Sequence, residues 1–213
     1  MIIALNGSPR PNGNTAAMLR AALEGAASTG AETKLIQLYP LKGKGCVSCF
    51  SCKRKGGKLG HCALKDDFSP VLDMMEQADA LLFGSPIYYY TLTPEMLALI
   101  HRFLFSHMLY NKEKRWVFPR VIPSAFIYTF GVKENAADEL LARFSFIHNS
   151  MGNMLGRPAE LLYSADAWQF SDYSLYEADR FDEAEKRRHL EEVFPLDKQK
   201  AFELGIRLAK AKN

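Results

Sequence analysis

Apolar and polar positions divide this chain into two kinds of segment that alternate along most of its length. Short apolar runs stand at 1–6, 33–38, 80–83, 121–128 and 159–163, each about the length of a buried strand. Between them, at 15–29, 67–78, 94–109 and 134–150, apolar residues recur every three or four positions, the period of a helix with one buried face. In the first of these Ala16, Leu19, Leu23 and Ala26 share a face, and Asn14 or Thr15 stands where a cap is needed. A last helix is expected from Asp197 to Lys210, with Phe202, Ile206 and Ala209 on one side. Five strands alternating with helices predict an α/β fold with a parallel, doubly wound sheet. No internal repeat, low-complexity tract or linker interrupts the pattern. It predicts a single domain over 1–213, with a Cys-rich loop at 43–65 and a C-terminal arm with helices at 166–213.

In such a sheet the loops after the strands line one edge, and ligands bind there where strand order reverses. The first loop, Gly7-Ser8-Pro9-Arg10-Pro11-Asn12-Gly13-Asn14-Thr15, joins a strand to a helix start. Helix N-termini carry unpaired N–H groups and the positive end of the dipole, so they suit an anion. Ser8, Asn14 and Thr15 add neutral donors and Arg10 adds charge. The loop lacks the Lys-Ser/Thr of the nucleotide-triphosphate loop and the spacing of the dinucleotide fingerprint, which leaves a small phosphomonoester. The second loop carries Pro86, Ile87, Tyr88, Tyr89 and Tyr90, a stiffened apolar and aromatic run suited to a flat ring. Aromatics beside a strand end are as commonly packing residues. Thr129 and Gly131 belong to a third loop. Together the loops fit a ligand with a phosphate at one end and an aromatic system at the other.

The bulk numbers narrow the classes. The 213 residues carry a formal net charge of +3, too weak to imply nucleic acid. Met1 leads straight into a strand with no signal-peptide pattern, and no stretch approaches the roughly 20 apolar residues of a membrane span. A soluble cytoplasmic protein is expected, without membrane or nucleic-acid partners.

All four cysteines lie between positions 46 and 62. Cys46, Cys49 and Cys52 form a C-x2-C-x2-C run, and Cys62 follows after nine residues. Four clustered thiols in a reducing compartment point to metal or redox chemistry rather than to staples. Three outcomes stay open: a 4Fe–4S cluster on all four thiols; structural zinc on Cys46, Cys49 and Cys52 with Cys62 or His61; or no metal, leaving thiols or a disulfide. No carboxylate lies between Glu32 and Asp66, while Lys42, Lys44, Lys53, Arg54, Lys55 and Lys58 crowd the block. Such cations favour thiolates and would also steer an acidic electron donor. His101 and His107 fit packing in an apolar helix, and Asp66-Asp67 fit the cap of the helix that follows. The aromatics Trp168, Phe170, Tyr173, Tyr176 and Phe181 precede a charged helical run at 182–192, which suits an arm laid on a neighbouring subunit or on its own domain.

The segments GSPR-x-x-GNT at 7–15 and GSPIY at 84–88 resemble those of the NAD(P)H-dependent FMN reductases of the flavodoxin-like superfamily. With the cysteine block, the chain more specifically resembles the iron–sulfur flavoproteins, over roughly residues 1–165. The resemblance implies a flavodoxin-like doubly wound sandwich with strand order 2-1-3-4-5, whose familiar case places flavin at the switch between strands 1 and 3. It implies an oxidoreductase that binds FMN and carries out electron transfer, with NAD(P)H as donor and a small-molecule or protein redox partner. Ser8, Arg10, Asn14 and Thr15 would hold the phosphate, Pro86, Ile87, Tyr88 and Tyr89 would border the ring, and Thr129 and Gly131 would close the third side. A homodimer or homotetramer is expected from the amount of apolar surface. No catalytic acid or base is visible, and a plain electron carrier or a zinc-stapled or cofactor-free interaction module is the alternative.

Overall fold

The computed structural model describes residues 1–211. In chain order the elements are β1 (Ile2–Asn6), α1 (Asn14–Ala27), β2 (Thr33–Gln37), α2 (Phe68–Gln77), β3 (Ala80–Pro86), α3 (Pro94–His107), β4 (Ser124–Thr129), α4 (Ala137–Ala142), α5 (Ser145–Leu155), β5 (Glu160–Ser164), α6 (Glu183–Arg188) and α7 (Phe194–Lys210). The five strands form one sheet in the order β2-β1-β3-β4-β5. Every pairing is parallel, with Ile2 beside both Thr33 and Ala80, Leu81 beside Ser124, and Ala125 beside Glu160. This is the flavodoxin-like order. Among the described residues no helix is long and apolar enough to cross a membrane.

Alternation along the strands sends successive side chains to opposite faces. Ile3, Leu5, Leu81, Phe83, Phe126 and Tyr128 pack against α2, α3, α4 and α5 in a bulky, aromatic core. Ile2, Ala4, Ala80, Leu82, Ala125 and Ile127 face α1 and α7 in a core of small residues. Small residues let helices approach closely. A Cβ on Gly25 of α1 would meet the backbone carbonyl of Phe202, and one on Gly205 of α7 would meet that of Ala22. The last helix is therefore locked to the first.

Several boundaries differ from those expected, and four of them have a local reason. β3 continues through Gly84-Ser85-Pro86, which pair with Ile127, Tyr128 and Thr129. β4 starts at Ser124, after Pro123, which has no N–H to offer a sheet. The helix expected at 134–150 divides into a 3-10 turn at Glu134–Ala136, α4 and α5. The break lies where Phe144 turns inward to pack on Tyr128, with ring centroids 5.3 Å apart. Finally, α1 is capped by Gly13 rather than by Asn14 or Thr15, which leaves both of those side chains free for other work. The charged run at 182–192 forms α6 and a wide turn at His189–Val193 that leads directly into α7.

Candidate functional site

The carboxyl ends of β1, β3, β4 and β5 open on a cleft of about 560 Å³. Ser8, Arg10, Asn14 and Thr15 line it from the loop after β1. Pro86, Ile87 and Tyr88 line it at the end of β3, and Thr129, Phe130 and Gly131 after β4. The chain positions these groups before any ligand arrives. Asn6 accepts the N–H of Ser8 (3.0 Å), the Ser8 hydroxyl accepts that of Arg10 (3.1 Å), and Gln37 donates to the Ser8 carbonyl (2.5 Å). Thr93 donates its hydroxyl to the Gly7 carbonyl at 2.7 Å and its N–H to Ser85 Oγ at 3.1 Å, which ties the first loop to the second. The hydroxyls of Thr15 and Thr129, both buried, are 2.7 Å apart and tie the first loop to the third. With the first-turn N–H groups of α1, which no helix can pair internally, Ser8 and Thr15 form a donor cradle for an anion. Pro86, Ile87 and Tyr88 form an apolar wall beside it.

Of the residues expected to line the cofactor site, the cleft gathers all but Tyr89. Tyr88 and Thr91 exchange two backbone hydrogen bonds, each 3.0 Å, and so close a two-residue turn. Its central residues Tyr89 and Tyr90 have φ of 47° and 60°, the left-handed region that bulky side chains avoid. Tyr89 is 97% exposed and lies at the lip of a neighbouring cavity of about 830 Å³. That cavity shares Ile87, Phe130, Gly131 and Gln169 with the cleft and is walled by Tyr90, Leu140 and Phe181.

Arg10 and Asn14 are engaged in a way the sequence did not disclose. Arg10 Nη1 donates to the Gln169 carbonyl at 2.6 Å, and Asn14 Nδ2 donates to the Trp168 carbonyl at 2.9 Å. The segment after β5 thus lies on the loop after β1, and Ala167, Trp168, Gln169, Phe170 and Ser171 complete the cleft. One signal for them was available. The carboxyl end of a fifth parallel strand must reach the same edge, and two aromatics follow it closely.

The cysteine loop sits apart, against α3. All four cysteines line one small pocket with Arg102, Phe105 and Ser106. Cys52 is buried, Cys62 half-buried, and Cys46 and Cys49 exposed. Ser51 hydrogen-bonds Cys49 through its side chain and backbone and lowers that thiol's pKa. Lys53 Nζ reaches the Phe105 carbonyl and stands 3.4 Å from Cys52 Sγ. Arg102, itself buried, grips both oxygens of Asp66 at 2.6 and 2.7 Å and the Leu64 carbonyl at 2.9 Å. Burial opposes ionisation of Asp66, but Arg102 and the N–H groups of Lys44 and Phe68 outweigh it and hold the carboxyl below its ordinary range. Asp66 also caps α2 through the Phe68 N–H (3.0 Å), whereas Asp67 accepts from Lys42 (2.8 Å). His107 is buried, with Nδ1 on the Phe103 carbonyl at 2.9 Å, and burial lowers its pKa; His101 is exposed. Among the described residues no three His, Cys, Asp or Glu side chains stand close enough to share a metal ion in this geometry. The four thiols line one pocket, with Arg102 and Lys53 beside it.

The strand order and the cleft at its switch point define a flavodoxin-like α/β protein. The chain belongs to the NADPH-dependent FMN reductase family, whose profile matches residues 1–137. It is similar to an iron–sulfur flavoprotein of Methanocaldococcus jannaschii, at 36% identity over 47% of this chain and 50% of that protein. It is also similar to one of Archaeoglobus fulgidus, at 32% identity over 58% of each. The chain thus spans about half the length of the relatives it matches. Two solved structures share the fold: an NAD(P)H:quinone oxidoreductase from Methanothermobacter marburgensis and an FMN-dependent NADH-azoreductase from Bacillus anthracis in complex with FMN. The first has a TM-score of 0.70 at 14% identity over 97% of this chain and 98% of that one. The second has 0.66 at 11% identity over 98% of each.

Proposed function

We propose that this chain is an FMN-dependent oxidoreductase that takes electrons from a reduced nicotinamide nucleotide and passes them to a small-molecule or protein acceptor. The observation that carries this is the convergence, on one cleft, of a buried donor cradle at the start of α1 and an apolar wall at 86–88. Ser8, Thr15 and the first-turn amides hold the phosphate. Pro86, Ile87 and Tyr88 border the ring, and Thr129 and Gly131 close the third side. Tyr89 flanks the adjoining cavity, where a donor or acceptor reaches the ring. FMN, when bound, supplies the exchange of one or two electrons; the protein supplies position, polarity and access. Flavin released by heat should be FMN in stoichiometric amount. Recovery of FAD, or no flavin after reconstitution with excess FMN, would end this assignment. A bound FMN that neither NADH nor NADPH reduces would leave an electron carrier instead.

Cys46, Cys49, Cys52 and Cys62 hold a 4Fe–4S cluster in this proposal. Support comes from the shared pocket, the neighbouring Arg102 and Lys53, and the similarity to iron–sulfur flavoproteins. Anaerobic protein should then contain about four iron and four sulfide per chain. Cys49→Ser should lose them and keep FMN; zinc without iron would favour a tetrahedral site, and no metal after anaerobic reconstitution would refute both. The chain is further proposed to form a homodimer or homotetramer, because Tyr89, Phe146 and Tyr110 stand exposed at 97%, 75% and 73%. Sedimentation equilibrium giving a monomer at micromolar concentration would contradict this.

A further inference from the structure

Lys186 in α6 is only 2% exposed, and the cleft residues described above leave it without a role. Its Nζ donates to Asp166 Oδ1 at 2.7 Å, to the Gly131 carbonyl at 3.3 Å and to the Ala167 carbonyl at 3.4 Å, and lies 4.7 Å from the centre of the Phe181 ring. Gly131 ends the third loop, and Ala167 begins the arm that completes the cleft. The two segments are also stitched by backbone bonds, from the Asp166 N–H to the Val132 carbonyl (2.8 Å) and from the Ala167 N–H to the Phe130 carbonyl (3.0 Å). Asp166 adopts φ of 44°, a left-handed conformation that needs outside support. The ammonium supplies that support. From Ala167 the arm runs to Trp168 and Gln169, whose carbonyls receive Asn14 and Arg10. One buried cation therefore holds the turn from which the arm reaches the phosphate loop. It is carried by α6, which continues through the turn at His189–Val193 into α7, and α7 is locked on α1.

We propose that Lys186 is a positioning residue for the bound cofactor: it sets the arm as the fourth wall of the cleft and so sets how slowly the cofactor leaves. This rests on the assignment of FMN to the cleft. Removing one member of a buried ion pair destabilises strongly, whereas removing both is often neutral, so two variants separate positioning from stability. Lys186→Met should release FMN at least tenfold faster in a dilution experiment read by recovery of flavin fluorescence. The double variant Lys186→Met/Asp166→Asn should regain melting temperature yet still release FMN at least fivefold faster, because the bonds to Gly131 and Ala167 stay unmade. A double variant with wild-type stability and wild-type release would reduce Lys186 to a structural ion pair and overturn the proposal. Hydrogen exchange on the wild-type protein gives a test that needs no variant. The amides of Asp166 and Ala167 should be protected with and without FMN; free exchange in the FMN-loaded protein would also overturn it. Protected amides in a protein that binds no FMN would sink the cofactor assignment and leave the preformed arm standing.

Discussion

At the carboxyl edge of the sheet, Ser8, Thr15 and Thr129 are buried at the ends of regular elements, and each loop is tied to another by a short hydrogen bond. The cysteine loop is built the opposite way. Its regular structure is one 3-10 turn at Ser51–Lys53, two of its thiols are exposed, and Ser48 and Phe50 have φ of 52° and 58°. It is held to the body chiefly by Arg102 and Lys53, which reach it from α3 and return to α3 respectively. A site whose walls are strand ends inherits its geometry from the sheet, whose hydrogen bonds are already made. A site on a long loop depends on a few buried polar contacts, and each one matters more. The first kind is organised for its ligand in advance; the second keeps its outer thiols accessible.

Breaking the anchor of the loop should give the largest effect. Arg102→Met leaves Asp66 without its buried partner and should cost about 3–5 kcal/mol in urea unfolding. FMN affinity of the folded variant should stay within about threefold, since separate elements carry the cleft. A parallel loss of FMN would show that the two regions are not independent. Next comes the converse. Ser8→Ala with Thr15→Ala should weaken FMN binding by about 1–3 kcal/mol, on the basis of about 1.5 for each hydrogen bond to a charged group. Thiol titration of the cysteine loop should not change. Unchanged affinity would put the phosphate elsewhere.

A smaller effect should come from the strained turn. Tyr90→Gly places the residue suited to positive φ in a two-residue hairpin and should stabilise by about 1 kcal/mol. Destabilisation would mean that the Tyr90 ring, which lies 5.3 Å from the Arg143 guanidinium, contributes more than its backbone costs.

The smallest effect concerns the floor beneath the loop, where Glu76 Oε1 faces His107 Nε2 at 3.5 Å. Burial, then the nearby Asp73, pushes the Glu76 carboxyl up to about 7. Its folded pKa lies above its unfolded value, so its contribution is full below the ordinary carboxylate range and is lost as pH rises through 7. Burial holds His107 below its ordinary value, so its charging opposes folding as pH falls and partly masks the trend. Glu76→Gln should therefore raise the urea midpoint at pH 8 more than at pH 5. An equal change at both values would show that Glu76 does not titrate there.

The five strands, the parallel sheet and the small-residue loop between the first strand and the first helix were legible from local pattern alone. Each depends on neighbours in sequence: two-residue alternation, helical periodicity, and a small-residue loop between strand and helix. The cysteine spacing was legible for the same reason. What the pattern could not disclose was the break at Phe144, the arm laid on Arg10 and Asn14, and the buried pairs Arg102–Asp66 and Lys186–Asp166. Asp66 looked like a helix cap, which it is, but its stronger partner lies 36 residues away. Lys186 stood in a charged helical run that suited an arm laid on a neighbour or on its own domain, and its ammonium is buried because Asp166 and two carbonyls replace its water. Periodicity reports which side chains must leave water, and a sequence states it directly. Which polar groups leave water with them, and on which partners, is decided only when distant segments meet and each buried charge must find its hydrogen bonds.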